Sequence, residues 1–284
     1  MTFNTIGIAG AGVIGSSLAQ HISNEGLDVI LVDVSIEAIE KSRNTISKNR
    51  RFQAMLGKSE TGAVKKGHIS YATSLSDLPG ADYVIECVTE NFDIKQKVFV
   101  ELDLACKKDC IIASNTSAIP IKKLAELTKR KEQIIGLHFM NPVTLIDAVE
   151  MISGPYTSDK TLETSRQFLK AIHKEWIHVN DSPGFVSNRV LMLTINESIH
   201  TLEDGVAAAA DIDKVFKSCF NHKMGPLETA DLIGLDTILH TLTVLQENFR
   251  NDKFKPSSLL LKKVEMGELG RKSGKGFYEY YSNG

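Results

Sequence analysis

The sequence has no excess of either charge. Lys and Arg number 33 against 35 Asp and Glu, a formal net charge of −2 over 284 residues. That balance removes the usual electrostatic basis for bulk binding to nucleic acid or to an anionic membrane surface. Long hydrophobic runs are missing as well: none approaches the ~20 residues that span a bilayer. The opening residues, Met1-Thr2-Phe3-Asn4-Thr5, have no basic start and no cleavage-site pattern, so secretion is not expected. Four cysteines (Cys87, Cys106, Cys110 and Cys219) form no CxxC pair and no His/Cys cluster. Free thiols in a reducing cytoplasm, with no metal site, are the simplest reading. No internal repeat and no low-complexity tract is present.

What remains is ordinary globular composition, 42% hydrophobic and 24% charged. The length fits two domains at roughly 150 residues each. Short apolar runs alternate with helical patterns in the first half. Ile6 to Ala9, Val29 to Val32, Tyr83 to Ile85, Ile111 to Ala113 and Ile134 to Leu137 read as strands. The Val29 to Val32 run lacks polar alternation, which predicts burial on both faces. Helical spacing spans Ile14 to Glu25, and a long polar helix covers roughly Ile36 to Met55. Strands separated by helices predict a parallel sheet with right-handed crossovers. The rhythm changes at Asp181-Ser182-Pro183-Gly184, where Pro and Gly mark a boundary. Beyond it Val186 to Glu203, Ile212 to Cys219 and Leu235 to Phe249 read as helices. The expected organisation is an α/β domain over 1–183 and a helical domain over 184–284.

Gly10-Ala11-Gly12-Val13-Ile14-Gly15 is GxGxxG, placed after a strand and opening a helix. Gly10 permits the tight turn, Gly12 lets the backbone approach a pyrophosphate, and Gly15 lets helix and strand pack closely. The helix N-terminus offers unpaired N–H groups to phosphate. The second strand ends at Asp33, within the ~20-residue interval for a ribose-binding acid. A carboxylate there bonds a 2′-hydroxyl and repels a 2′-phosphate, so NAD is expected over NADP.

His138 closes the Ile134 to Leu137 run, at a strand end where open parallel sheets bind ligands. Glu150 lies within the apolar Ala148-Val149-Glu150-Met151-Ile152. A chain reversal between Pro142 and Ile146 would bring Glu150 beside His138, where a carboxylate holds the imidazole tautomer of a general base. On spacing alone His138 also reads as a structural histidine. Ser114-Asn115-Thr116-Ser117 follows another buried strand, as crevice-facing polar groups or as capping hydroxyls. Asn188 opens the first helix of the second domain, where a plain surface Asn is equally expected.

Taken together, these segments resemble the L-3-hydroxyacyl-CoA dehydrogenases in their short bacterial 3-hydroxybutyryl-CoA form. The likeness rests on Gly10 to Gly15, Ser114 to Ser117, His138-Phe139-Met140-Asn141-Pro142, Pro183 to Arg189, Met224-Gly225-Pro226-Leu227 and Gly270 to Tyr278. It implies a Rossmann-type, doubly wound, mostly parallel sheet, an all-α C-terminal dimerisation domain, and a cleft between them. It further implies His138 as general base oriented by Glu150, Ser117 on the substrate oxygen near the nicotinamide, and Asn188 positioning substrate. Glu90, Lys95, Asn115, Asn141 and Lys272 match positions used around NAD. The implied partners are an acyl thioester, on CoA or an acyl carrier protein, and a second copy of the chain in the cytoplasm. A non-catalytic structural relative would be expected to lose some of Ser117, His138, Glu150 and Asn188, and all are present.

The chain departs from the family pattern at the substrate end. Thr144 replaces a Pro and Asp147 a Lys; Lys223 stands where Pro is usual, and Glu268 where Trp is usual. The CoA-contacting Ser and Lys have only Asn49 and Leu56 as nearest neighbours. Asp147 facing the thioester arm would repel phosphate, which favours a short polar acyl group on an acyl carrier protein, docked at Lys48, Arg50 and Arg51. A solvated helix face is the other reading of that basic cluster. The apolar helix faces with Leu239, Leu242 and Leu245 are expected to need cover from a partner.

Overall fold

The computed structural model describes residues 3–55 and 66–280. The chain divides into two compact units, Met1–Ser182 and Pro183–Gly284. The first runs β1 (Thr5–Ala9), α1 (Val13–Asn24), β2 (Asp28–Val32), α2 (Ile36–Met55), β3 (Ile69–Ala72), β4 (Tyr83–Glu86), α3 (Phe92–Ala105), β5 (Ile111–Ser114), α4 (Ile121–Ala125), β6 (Ile134–Phe139), β7 (Ala148–Ser153), α5 (Asp159–Ala171) and β8 (Glu175–Asn180). Among the described residues the strands form one sheet in the order β3-β2-β1-β4-β5-β6-β7-β8. Every neighbouring pair is parallel except β6 and β7. The order reverses direction at β1, flanked by β2 and β4, and the carboxyl ends there form the crevice of a doubly wound sheet. Helices cover the sheet because its central strands are apolar on both faces; β4, β5 and β6 are buried along their whole length. One face packs Ile6, Ile8, Leu18, Leu31 and Ile85 with a stacked Tyr83–Phe168 pair.

Two strands escape the sequence pattern. β3 is only partly buried, and β8 is exposed along most of its length, so neither shows the apolar run of a buried strand. They lie at the two edges of the sheet.

The second unit is helical: α6 (Ser187–Glu203), α7 (Ala209–Cys219), α8 (Pro226–Ile233), α9 (Leu235–Phe249) and α10 (Ser258–Glu265). Its core joins Ile195, Ile199, Leu227, Ile238, Leu242 and Leu245. Leu242 and Leu245 are fully buried there, and Leu239 packs against the same cluster. The apolar face expected to need a partner is therefore covered within the unit itself. Two buried carboxylates explain the glycine-bearing segments. Asp213 accepts from the N–H groups of Leu227 and Glu228 at 2.8 and 2.9 Å, capping α8, and Asp231 accepts from those of Phe277 and Tyr278 at 2.9 Å. A Cβ on Gly225 would meet Asp213 at 2.3 Å, and one on Gly276 would meet Asp231 at 2.0 Å. Among the described residues, no helix is long and apolar enough to cross a membrane.

Candidate active site and cofactor site

The turn from β1 into α1 is built for a backbone-bound anion. Gly10 has φ +109°, and a Cβ there would lie 2.6 Å from the Cys87 carbonyl oxygen. A Cβ on Gly15 would come within 1.9 Å of the Gly10 oxygen, so only glycine lets α1 pack this close. Gly12 faces open space, and it caps α1 with no side-chain bond to the first-turn N–H groups. Orphan donors beside a smooth glycine wall fit a pyrophosphate. Asp33, at the carboxyl end of β2, accepts from Ala11 N at 2.8 Å and Ser35 N at 2.9 Å. Its carboxylate thus joins the two loops that a dinucleotide must touch, and each oxygen keeps a lone pair for a ribose hydroxyl.

The reversal after β6 brings His138 directly opposite Glu150 in the antiparallel β6–β7 ladder. Both are buried, at 6% and 5% exposure, and His138 Nδ1 lies 2.9 Å from Glu150 Oε2. A carboxylate can only accept, so Nδ1 carries a proton; in the neutral ring Nε2 then presents its lone pair. Ser117 Oγ stands 3.2 Å from that Nε2, within donating distance. The His138 ring is clamped at one nitrogen and directed at a hydroxyl with the other.

The Ser114–Ser117 segment is held from several sides. Asn115 Oδ1 accepts from Phe139 N at 2.9 Å, tying the turn to β6. Glu90 Oε1 accepts from Thr116 Oγ1, Ser117 N and Ala118 N at 2.6, 2.9 and 3.0 Å. Lys95 is buried, its Nζ 2.6 Å from Glu86 Oε1 and 3.4 Å from Glu90 Oε2. Burial alone would raise the Glu90 carboxyl, but the Lys95 ammonium and the turn's donors hold it below the usual range. Burial would likewise lower Lys95; Glu86 and Glu90 outweigh it and raise the ammonium instead. Sequence reasoning missed Glu86. The available signal was a charged residue closing a wholly apolar strand, the same signal that singled out His138.

The remaining expected residues are placed as follows. Asn141 is exposed and lines a groove of about 570 Å³ with Ala11, Gly12, Asn49, Phe52 and Thr144. Asn188 is half-buried in the first turn of α6, and Lys272, in the second unit, forms a close ion pair with Asp236. Leu56 lies outside the described residues.

Two substrate-end expectations are corrected. Asp147 is exposed, stands 3.4 Å from Lys174 Nζ and does not line the groove. Arg50 does not project as a docking residue: its Nη2 donates to Ser23 Oγ at 2.6 Å, beneath α2. Lys48 and Arg51 remain exposed.

The carboxyl edge of the sheet thus carries a glycine turn suited to a dinucleotide and a carboxylate-held histidine beside a serine. The family profile of the 3-hydroxyacyl-CoA dehydrogenase NAD binding domain matches residues 5–182, and that of the C-terminal domain matches residues 184–280. The chain belongs to the 3-hydroxyacyl-CoA dehydrogenase family. It is 43% identical over 282 residues to a probable 3-hydroxybutyryl-CoA dehydrogenase of Bacillus subtilis strain 168, covering 99% of this chain and 98% of that protein. A 3-hydroxybutyryl-CoA dehydrogenase of Bradyrhizobium diazoefficiens is 42% identical over 277 residues, covering 97% and 94%. The crystal structure of (S)-3-hydroxybutyryl-CoA dehydrogenase from Ralstonia eutropha superposes with a TM-score of 0.92 at 40% identity, covering 99% of this chain and all of that one.

Proposed function

We propose that this protein interconverts a short L-3-hydroxyacyl-CoA, 3-hydroxybutyryl-CoA foremost, and its 3-oxoacyl-CoA with NAD. The observation that carries this reading is His138, fixed at Nδ1 by Glu150 and set 3.2 Å from Ser117 Oγ at Nε2. NAD, when bound, accepts the hydride. His138 Nε2 takes the substrate hydroxyl proton as general base, and Glu150 keeps the imidazole in the tautomer that can do so. Ser117 Oγ bonds the substrate oxygen, and Asn188 positions the substrate. The α1 N-terminus with Gly10 to Gly15 and Asp33 holds NAD, supported by Glu90, Lys95, Asn115, Asn141 and Lys272. With Asp147 turned to Lys174 and Arg50 turned to Ser23, the charge-based case for a carrier-protein substrate loses its footing, and CoA is the favoured carrier. Exposed Val206, Val215 and Phe220 of the second unit supply an apolar surface for a homodimer. The cysteines are all free, which suits a cytoplasmic enzyme.

The test compares acetoacetyl-CoA reduction, followed by NADH absorbance, with oxidation of glyceryl- or seryl-carrier protein, followed by intact-protein mass. Turnover of the CoA ester at ordinary enzyme rates is expected. Reaction confined to the carrier-bound substrates would overturn the choice of carrier.

A further inference from the structure

Glu86 ends β4 with its side chain fully buried. Its two oxygens serve different partners. Oε1 accepts from Lys95 Nζ at 2.6 Å and Val88 N at 2.8 Å, while Oε2 accepts from Ser114 Oγ at 2.6 Å. Each branch continues to the same turn. Ser114 Oγ accepts from Thr116 N at 3.2 Å. Lys95 Nζ is also 3.4 Å from Glu90 Oε2, and the other Glu90 oxygen receives Thr116 Oγ1, Ser117 N and Ala118 N. The backbone of Asn115 adds a further tie, donating to the Glu86 carbonyl at 2.8 Å.

A group of two carboxylates and one ammonium, with Glu86 and Lys95 buried and Glu90 partly so, is weak as a source of net stability, because desolvation offsets most of the Coulombic gain. Its fully satisfied hydrogen bonds give it directional stiffness instead. Ser117, bonded by the Glu90 branch and next in the chain to Thr116, where the Ser114 branch ends, is the residue whose hydroxyl meets His138 Nε2.

We infer that Glu86 is a positioning residue of the reaction: through Ser114 on one branch and Lys95–Glu90 on the other, it holds the 115–118 turn so that Ser117 Oγ stays within reach of His138 Nε2. This rests on the dehydrogenase reading for its catalytic consequence. The turn's geometry itself is testable without it.

The experiment is a double-mutant cycle with acetoacetyl-CoA and NADH. Glu86→Gln keeps the shape but turns an NH2 group toward one of the three donors on the carboxylate. It should lower kcat by about 10–100-fold, and by less than about 2-fold in a Ser117→Ala background, because groups that act as a unit are non-additive. Additive losses, or an unchanged kcat with only a lower Tm, would overturn the inference. Hydrogen exchange gives a readout independent of turnover. The amides of Ser117 and Ala118 should exchange faster in Glu86→Gln while the β5–β6 ladder stays protected; unchanged exchange at both amides would equally overturn it. If Glu86→Gln does not fold, Ser114→Ala cuts one branch and spares the ion pair. There a loss of about 3–10-fold in kcat is expected, again vanishing beside Ser117→Ala. A wild-type protein inactive on acetoacetyl-CoA would defeat the choice of a CoA ester as substrate, and the amide exchange would still decide the positioning role.

Discussion

At the scale of single residues, the site separates the group that moves a proton from the groups that hold it. His138→Ala removes the proposed base and should lower kcat by about 10²–10⁴. Glu150→Gln leaves a group of the same size against Nδ1 but no charge, so kcat should fall while the fold and NADH binding persist. NADH fluorescence titration beside steady-state rates separates the two effects. Near wild-type kcat in both variants would make the pair structural. Asp33 has a double part, since it already accepts from Ala11 and Ser35. A 2′-phosphate would bring a second negative charge to this carboxylate. NAD should therefore exceed NADP in kcat/KM by one to two orders of magnitude, roughly 1.4–3 kcal/mol. Comparable values for the two cofactors would remove Asp33 from that role.

At the scale of elements, loops are held by buried charge. Lys174, 3% exposed at the start of β8, donates to the Val143 and Ile146 carbonyls at 2.7 and 2.8 Å. It thereby clamps the loop that joins the His138 strand to the Glu150 strand. Lys174→Met leaves those carbonyls without their donor and should cost about 1–3 kcal/mol in urea denaturation. A stability equal to wild type would show that the loop holds itself. The Glu90–Lys95 pair makes stability depend on pH at both ends. Glu90 has a lowered value in the folded state, so its contribution is present above its ordinary value near 4.5 and is lost as pH falls through the lowered one. Lys95 has a raised value, so its contribution is full below its ordinary value near 10.5 and is lost as pH rises through the raised one. Denaturation across the acid range should show a shallower pH dependence in Glu90→Gln than in wild type. Parallel curves would place the acid sensitivity elsewhere.

At the scale of the whole molecule, each unit closes its own core, one around a sheet and one around packed helices. The apolar side chains that the second unit leaves exposed include Val206, Val215 and Phe220, at 73%, 48% and 63% exposure, along with Val186, Val190, Leu232, Leu261 and Met266. For the proposed dimer, exposed side chains such as these, rather than the Leu242 face, are the ones available to a second copy. Light scattering at micromolar concentration should give a dimer, and Phe220→Glu should shift it toward monomer. A monomeric wild type would contradict the assembly.

The local parts of this protein were legible in its residues. Gly10 to Gly15, the buried runs of β1, β2, β4, β5 and β6, and helices α2 and α9 follow from turn chemistry, apolar periodicity and backbone sterics. All of these act over a few residues. His138 and Glu150 were legible as a pair because a single chain reversal joins them. Other features depended on which distant segments meet. Asp147 stands by Lys174 and outside the groove lining, Arg50 bonds Ser23, and the helical core absorbed Leu242 and Leu245. β8 carries Glu175, Trp176 and His178 with no apolar run, yet pairs along its length with β7. Its backbone hydrogen bonds, not its side chains, decide its place at the sheet edge. Glu86 shows the same division most clearly. Its position closing an apolar strand was visible in the sequence, but its partners Lys95 and Ser114 lie 9 and 28 residues away. A buried charge is stable only where such partners converge, and that convergence is a property of the tertiary structure.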